Sequence, residues 1–328
     1  MMSLLFHLSF TLFGNGLSRR AALGGSAAAL VCAGEPACAA TPVSSAAPMF
    51  GTPESRAGLL EGILSARDSG ADIATQYARN PTDISGVALP ASFASAKDAT
   101  LIFHGSGGPD RETADVVARF RAQDAAAGLS REVHVFNWMP WFTSNTDRLS
   151  FVSQSVGASL GRSLAANRDL RSLHIVGTSA GSFAADACCT AYVESAGSDR
   201  AAVRLTLADP FAARDGASFA KGRGAQFFGK SADFAEHLLN TDDIVPNTDV
   251  PLPLCYCLDV TRSAERRTFP PPDKTGDLVY DFILKSLGYH SWPMGYLARH
   301  YETQLDAQGR VITPSHADRP RGEVLKVA

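Results

Sequence analysis

The sequence predicts a doubly wound α/β domain, a mostly parallel sheet with helices on both faces. Short apolar runs recur at 100–104 (TLIFH), 132–138 (EVHVFNW), 173–177 (LHIVG), 203–208 (VRLTLA), 236–240 (EHLLN) and 255–260 (CYCLDV). Between them lie segments such as 113–128 and 151–167, whose apolar residues repeat at helical spacing. Strands that alternate with helices need crossover connections, and crossovers make sequential strands parallel. Length and composition allow it: 328 residues, 45% hydrophobic and 19% charged, are enough to bury a full core.

Residues 1–40 read as an export signal rather than as part of the fold. Ser18-Arg19-Arg20 leads into the small-residue apolar run AALGGSAAALVCAG, and ACAA precedes Thr41. The arginine pair beside a weakly apolar run resembles the twin-arginine type of signal, with cleavage after Ala39 or Ala40. The run is too short and its residues too small to span a bilayer, so no stable membrane insertion is expected once the signal is gone. A periplasmic or extracellular location follows. Residues 41–90 join a proline- and serine-bearing linker to a helical segment, RAGLLEGILSARDSGADIATQYAR. The α/β domain is expected over 91–306, and 307–328 reads as a polar surface tail.

A net charge of −3, with no lysine or arginine block, argues against nucleic acid or an anionic membrane surface as partner. Of six cysteines, the signal removes Cys32 and Cys38 and leaves Cys188, Cys189, Cys255 and Cys257. An even number in an oxidising compartment predicts disulfides, with pairing between the 188/189 and 255/257 clusters favoured because adjacent pairs are strained. No histidine stands near either cluster in sequence, so neither a metal nor any other cofactor is expected.

In such a sheet, ligands meet the carboxyl ends of the strands, and the residues just after each apolar run matter most. Gly177-Thr178-Ser179-Ala180-Gly181 follows LHIV and precedes a helix-compatible stretch. Small residues two positions either side of a serine are what a sharp strand-to-helix turn needs, which makes Ser179 the candidate nucleophile. Donors for a developing oxyanion are expected from the backbone of Ala180 and of Gly105 or Ser106 in the glycine-rich HGSGG. The acid should lie between nucleophile and histidine in the chain, and two positions qualify: Asp209 in LTLADPF and Asp243 in NTDDIVPN. Among the histidines after Ser179, His237 sits inside an apolar run, His300 in a helical pattern and His316 in the tail. His290, in LGYHSWPMGY, is the candidate base. Trp138, Trp141 and Phe142 follow the second run and serve equally well as pocket wall or as packing.

Together LIFHGSGG, VFNWMPWF, SVGASLGRSLAA before LHIVGTSAGS, and LTLADPF resemble the core of the pancreatic-type lipases of the α/β-hydrolase superfamily, over roughly residues 99–215. The resemblance implies an α/β-hydrolase fold and maps the family's acid onto Asp209 and its histidine onto His290. NTDDIVPN is also similar to fungal lipases, whose acid would map onto Asp243. The sequence departs from the pattern at Thr178, where those lipases usually carry histidine, and shows neither a cysteine-bridged lid nor a C-terminal sandwich domain. The expectation is an exported serine hydrolase acting on small-molecule or lipid-like carboxylic esters. A non-catalytic binding protein on the same fold is the alternative, and a serine peptidase a weaker one.

Overall fold

The computed structural model describes residues 79–105, 108–141, 149–212, 223–243, 249–268, 292–302 and 319–327. Six strands fall where the apolar runs predict them: β1 Asp98–Phe103, β2 Arg131–Phe136, β3 Ser172–Ser179, β4 Ala202–Pro210, β5 Phe234–Leu239 and β6 Tyr256–Asp259. Helices α1 Arg111–Ala126, α2 Leu149–Leu164, α3 Gly181–Ala196, the short α4 Arg223–Phe227 and α5 over 292–300 complete the described layers. A seventh strand, β7 Val324–Lys326, pairs with β6 at the edge of the sheet. These three residues of the expected polar tail over 307–328 thus form a short, largely exposed edge strand.

Every described pairing is parallel, and the strands run in the order β2-β1-β3-β4-β5-β6-β7. The direction in which successive strands are added across the sheet reverses at β1. The chain steps from β1 to β2 on one side, then returns to place β3 on the other and proceeds outward from there. Such a reversal opens a crevice at the carboxyl ends of β1 and β3, because the connections leaving these two strands go to opposite sides.

Side-chain alternation along the strands builds two cores. Leu101, Phe103, Ile175 and Leu205 belong to the cluster that contains Val156 and Leu160 of α2 and Phe183 of α3. Ile102, Val176, Ala208 and Leu238 belong to the opposite cluster, with Val116 and Phe120 of α1 and Trp292 of α5. Helices therefore cover both faces. Their covering explains why the sequence shows unbroken apolar runs instead of strict alternation.

The four cysteines are buried as free thiols, so the expected bridge between the two clusters does not form here. The Cys255 thiol turns to Phe228 O (3.5 Å) and that of Cys257 to Leu252 O (3.4 Å). Burial pushes all four thiols above the ordinary range, as expected of groups sealed in an apolar core.

Candidate active site

Ser179 ends β3 at the switch point, and α3 begins two residues later. Its φ is +49°, in the left-handed region, and only one other non-glycine described residue has a positive φ. An L-residue held there stores about 1–2 kcal/mol, which persists only where the surroundings impose it. Those surroundings are the flanking glycines. A Cβ on Gly177 would lie 2.7 Å from Ala185 Cβ and 2.8 Å from Ser182 Cα. One on Gly181 would lie 2.3 Å from His104 O and 2.5 Å from Phe103 O. The GTSAG spacing is thus dictated by contact, with α3 pressed against the end of β1.

The second positive φ belongs to Asp209, at +46°. Along the β3–β4 ladder, Thr178 pairs with Ala208 and Ser179 with Pro210, which leaves Asp209 as the extra residue of a bulge. A bulge re-aims the side chain it carries. The Phe211 N–H donates to Ser179 O at 3.1 Å, locking this bulge to the turn beside it, and Asp209 is wholly buried. Asp243 is also buried but follows β5, one strand further from β3.

On the other side of Ser179 stands the start of the glycine-rich loop. A Cβ on Gly105 would lie 3.3 Å from Ser179 Cβ and 3.9 Å from Ser179 Oγ, so this backbone passes directly against the Ser179 side chain. His104 is buried beneath it. The His104 Nδ1–H donates to Gly105 O at 2.6 Å, and Nε2 lies 3.1 Å from Asn137 Oδ1. Burial lowers the pKa of His104, opposed by these two hydrogen bonds and by Asp110. Ala180, fully buried, opens α3, where helix amides lack intrahelical partners and favour negative charge.

The structure thus gathers Ser179, Ala180, Gly105 and Asp209 at one place. Ser106, His290 and Phe142 lie outside the described residues. Trp138 is fully buried, with its Nε1–H donating to His104 O at 2.8 Å. Trp141 is half-buried, stacked on Phe136 with 5.6 Å between ring centroids, and its Nε1–H donates to Ser85 O. Both tryptophans are therefore engaged in packing. Asn137 was missed by sequence reasoning, and a polar residue between a strand and a tryptophan is the signal that marks it.

His237 is the core histidine its apolar run suggests. Its Nδ1 accepts from the Leu252 N–H at 3.3 Å, and burial lowers its pKa to about 3. His300 lies on α5 with Nε2 2.9 Å from Glu265 Oε1. A cavity of about 50 Å³ lies at the amino ends of β3 and β4, lined by Arg131, His174, Arg204 and Tyr301 among others, away from Ser179. Among the described residues no cluster of metal-ligating side chains occurs, and no helix is long and apolar enough to cross a membrane.

No protein-family model matches the chain. No curated protein matches it in sequence either.

Proposed function

We propose that this protein is an exported serine hydrolase of α/β-hydrolase fold that cleaves carboxylic esters through an acyl-enzyme. The observation that carries the reading is the strained Ser179, at φ +49° between two glycines whose Cβ positions are occupied, at the switch point of a parallel sheet. A nucleophile elbow has this construction. The strand order from β2 to β6 is compatible with the central sheet of that fold, and the resemblance over residues 99–215 points the same way.

In this reading Ser179 Oγ attacks the ester carbonyl carbon while His290 takes its proton. The tetrahedral oxyanion is held by the Ala180 N–H and by that of Gly105 or Ser106, a contribution of about 3 kcal/mol per donor. Collapse expels the alcohol, protonated by His290. Water then repeats the sequence on the acyl-enzyme, releasing the carboxylic acid and restoring Ser179. Asp209 orients the imidazole, and its bulge beside the elbow favours it over Asp243.

The test is incubation of the mature protein with a fluorophosphonate probe and with p-nitrophenyl esters of graded chain length. Labelling at Ser179 and turnover that vanishes in Ser179→Ala are expected. A correctly folded protein that neither labels nor hydrolyses would overturn the proposal and favour a binding protein. For the acid, Asp209→Asn should lower kcat about 10³–10⁴-fold, with a much smaller effect from Asp243→Asn. The reverse ranking assigns the role to Asp243.

A further inference from the structure

We infer that Trp138 is a positioning residue that presets the oxyanion loop through two successive carbonyls, an inference that rests on the hydrolase reading for its catalytic consequence. Its Nε1–H donates to His104 O at 2.8 Å, while the His104 Nδ1–H donates to Gly105 O at 2.6 Å. The Trp138 and His104 rings stack, 5.7 Å apart and 16° from parallel, so the donor on one ring is braced by the other.

In a trans peptide the C=O and the following N–H point in opposite directions. Fixing His104 O therefore fixes the Gly105 N–H, a candidate donor for the oxyanion. Gly105 also accepts the Gly108 N–H at 3.3 Å, which closes the loop onto the same carbonyl. Trp138 has no exposed surface to offer a substrate, and Gly181 leaves no slack, because His104 O already lies where its Cβ would stand. The tryptophan acts through the loop.

The experiment compares Trp138→Phe with Trp141→Phe, an identical chemical change at a residue that bonds Ser85 instead. Because a smaller ring leaves a void, a second variant replaces Trp138 with benzothienylalanine, which keeps the bicyclic shape and lacks the N–H. Hydrogen exchange at the amides following Phe103 should accelerate in both Trp138 variants and stay unchanged in the Trp141 control. Turnover of a p-nitrophenyl ester should fall about 10–100-fold in kcat with KM within about twofold. The Ki of an arylboronic acid should rise in step with the loss in kcat/KM.

Unchanged exchange in both Trp138 variants overturns the inference, as does a raised KM at constant kcat, which would make Trp138 a substrate wall. If the parent protein neither labels nor turns over ester, the hydrolase reading fails and the exchange measurement alone decides whether the clamp exists.

Discussion

The two ends of the central strands are built on opposite principles. At the carboxyl ends of β3 and β4, Ser179 and Asp209 are the two non-glycine described residues held at positive φ. At the amino ends, charge is neutralised in place. Arg204 donates to Glu236 at 2.6 Å, Arg200 to Asp233 at 2.6 and 2.8 Å, and Arg131 lies 3.3 Å from Asp124. His174 joins this set through Thr206. Thr206 donates its hydroxyl to Glu236, so it must accept from the His174 Nε2–H, which leaves the lone pair on Nδ1. Strain is concentrated at one end and charge pairing at the other, which implies that substitutions at the two ends fail in different ways.

The largest expected effect breaks the strained end by packing. In Gly181→Ala the new Cβ would meet two backbone oxygens of β1 and its following residue, at 2.3 and 2.5 Å, and neither can rotate away. The end of β1 would have to part from α3, at a cost of more than about 3 kcal/mol. Chemical denaturation should show this loss, or the chain should fail to accumulate as folded protein. A variant within about 1 kcal/mol of the parent would mean that α3 is not pressed against β1 as described.

At the charged end, Arg204→Met leaves Glu236 buried without its main partner and should cost about 3 kcal/mol. Replacing both, Arg204→Met with Glu236→Leu, should recover much of that loss, since a buried pair exchanged for apolar groups is often near neutral. Turnover per folded molecule should not change in either. A fall in kcat without a fall in stability would show that the amino end communicates with Ser179 and would erase the contrast between the ends.

Between the two stands Asp186, buried in α3 one turn beyond the elbow glycine, with its Oδ1 accepting from the Gly229 N–H at 3.1 Å. Burial raises its pKa from 3.8 to about 7, opposed by that N–H and by Arg223. Between those values the folded state holds a proton that the unfolded state has released. Stability therefore falls as pH rises from about 4 to about 7 and levels off above. Asp186→Asn keeps an acceptor for Gly229 and does not titrate. It should be more stable than the parent by about 2 kcal/mol or more at pH 8, with the difference shrinking toward pH 4. Denaturation midpoints across that range check this, and a constant difference would show that Asp186 does not titrate in the window.

Much of the frame was legible in the sequence, because apolar runs bounded by turns mark strands covered on both faces, and because the glycines at 177 and 181 mark a contact no larger residue can enter. Three features were not legible, each for a physical reason. Strand β7 is three residues long and only partly covered, too short for any periodicity to register. Cysteine number reports on compartment and not on geometry, and the Cys255 and Cys257 thiols turn to nearby carbonyls. The bulge at Asp209 depends on φ, which an Asp-Pro pair does not specify, so the sequence alone does not mark Asp209 as the residue of a bulge.

The smallest effect isolates strain from chemistry at Ser179 itself. Ser179→Ala and Ser179→Gly both remove the hydroxyl, so both should lose labelling and turnover alike. They differ in what φ +49° demands of them. Alanine keeps the Cβ that crowds the following carbonyl, while glycine occupies this region freely. At an ordinary strand position glycine would be the less stable of the two by roughly 0.5–1 kcal/mol, because its unfolded chain is freer. Here the order should invert, with the glycine variant about 1 kcal/mol more stable and melting roughly 2–4 °C higher. Calorimetry on the pair measures it directly. If alanine proves the more stable, the turn at Ser179 carries no strain, and the contrast between a strained and a charge-paired end rests on Asp209 alone.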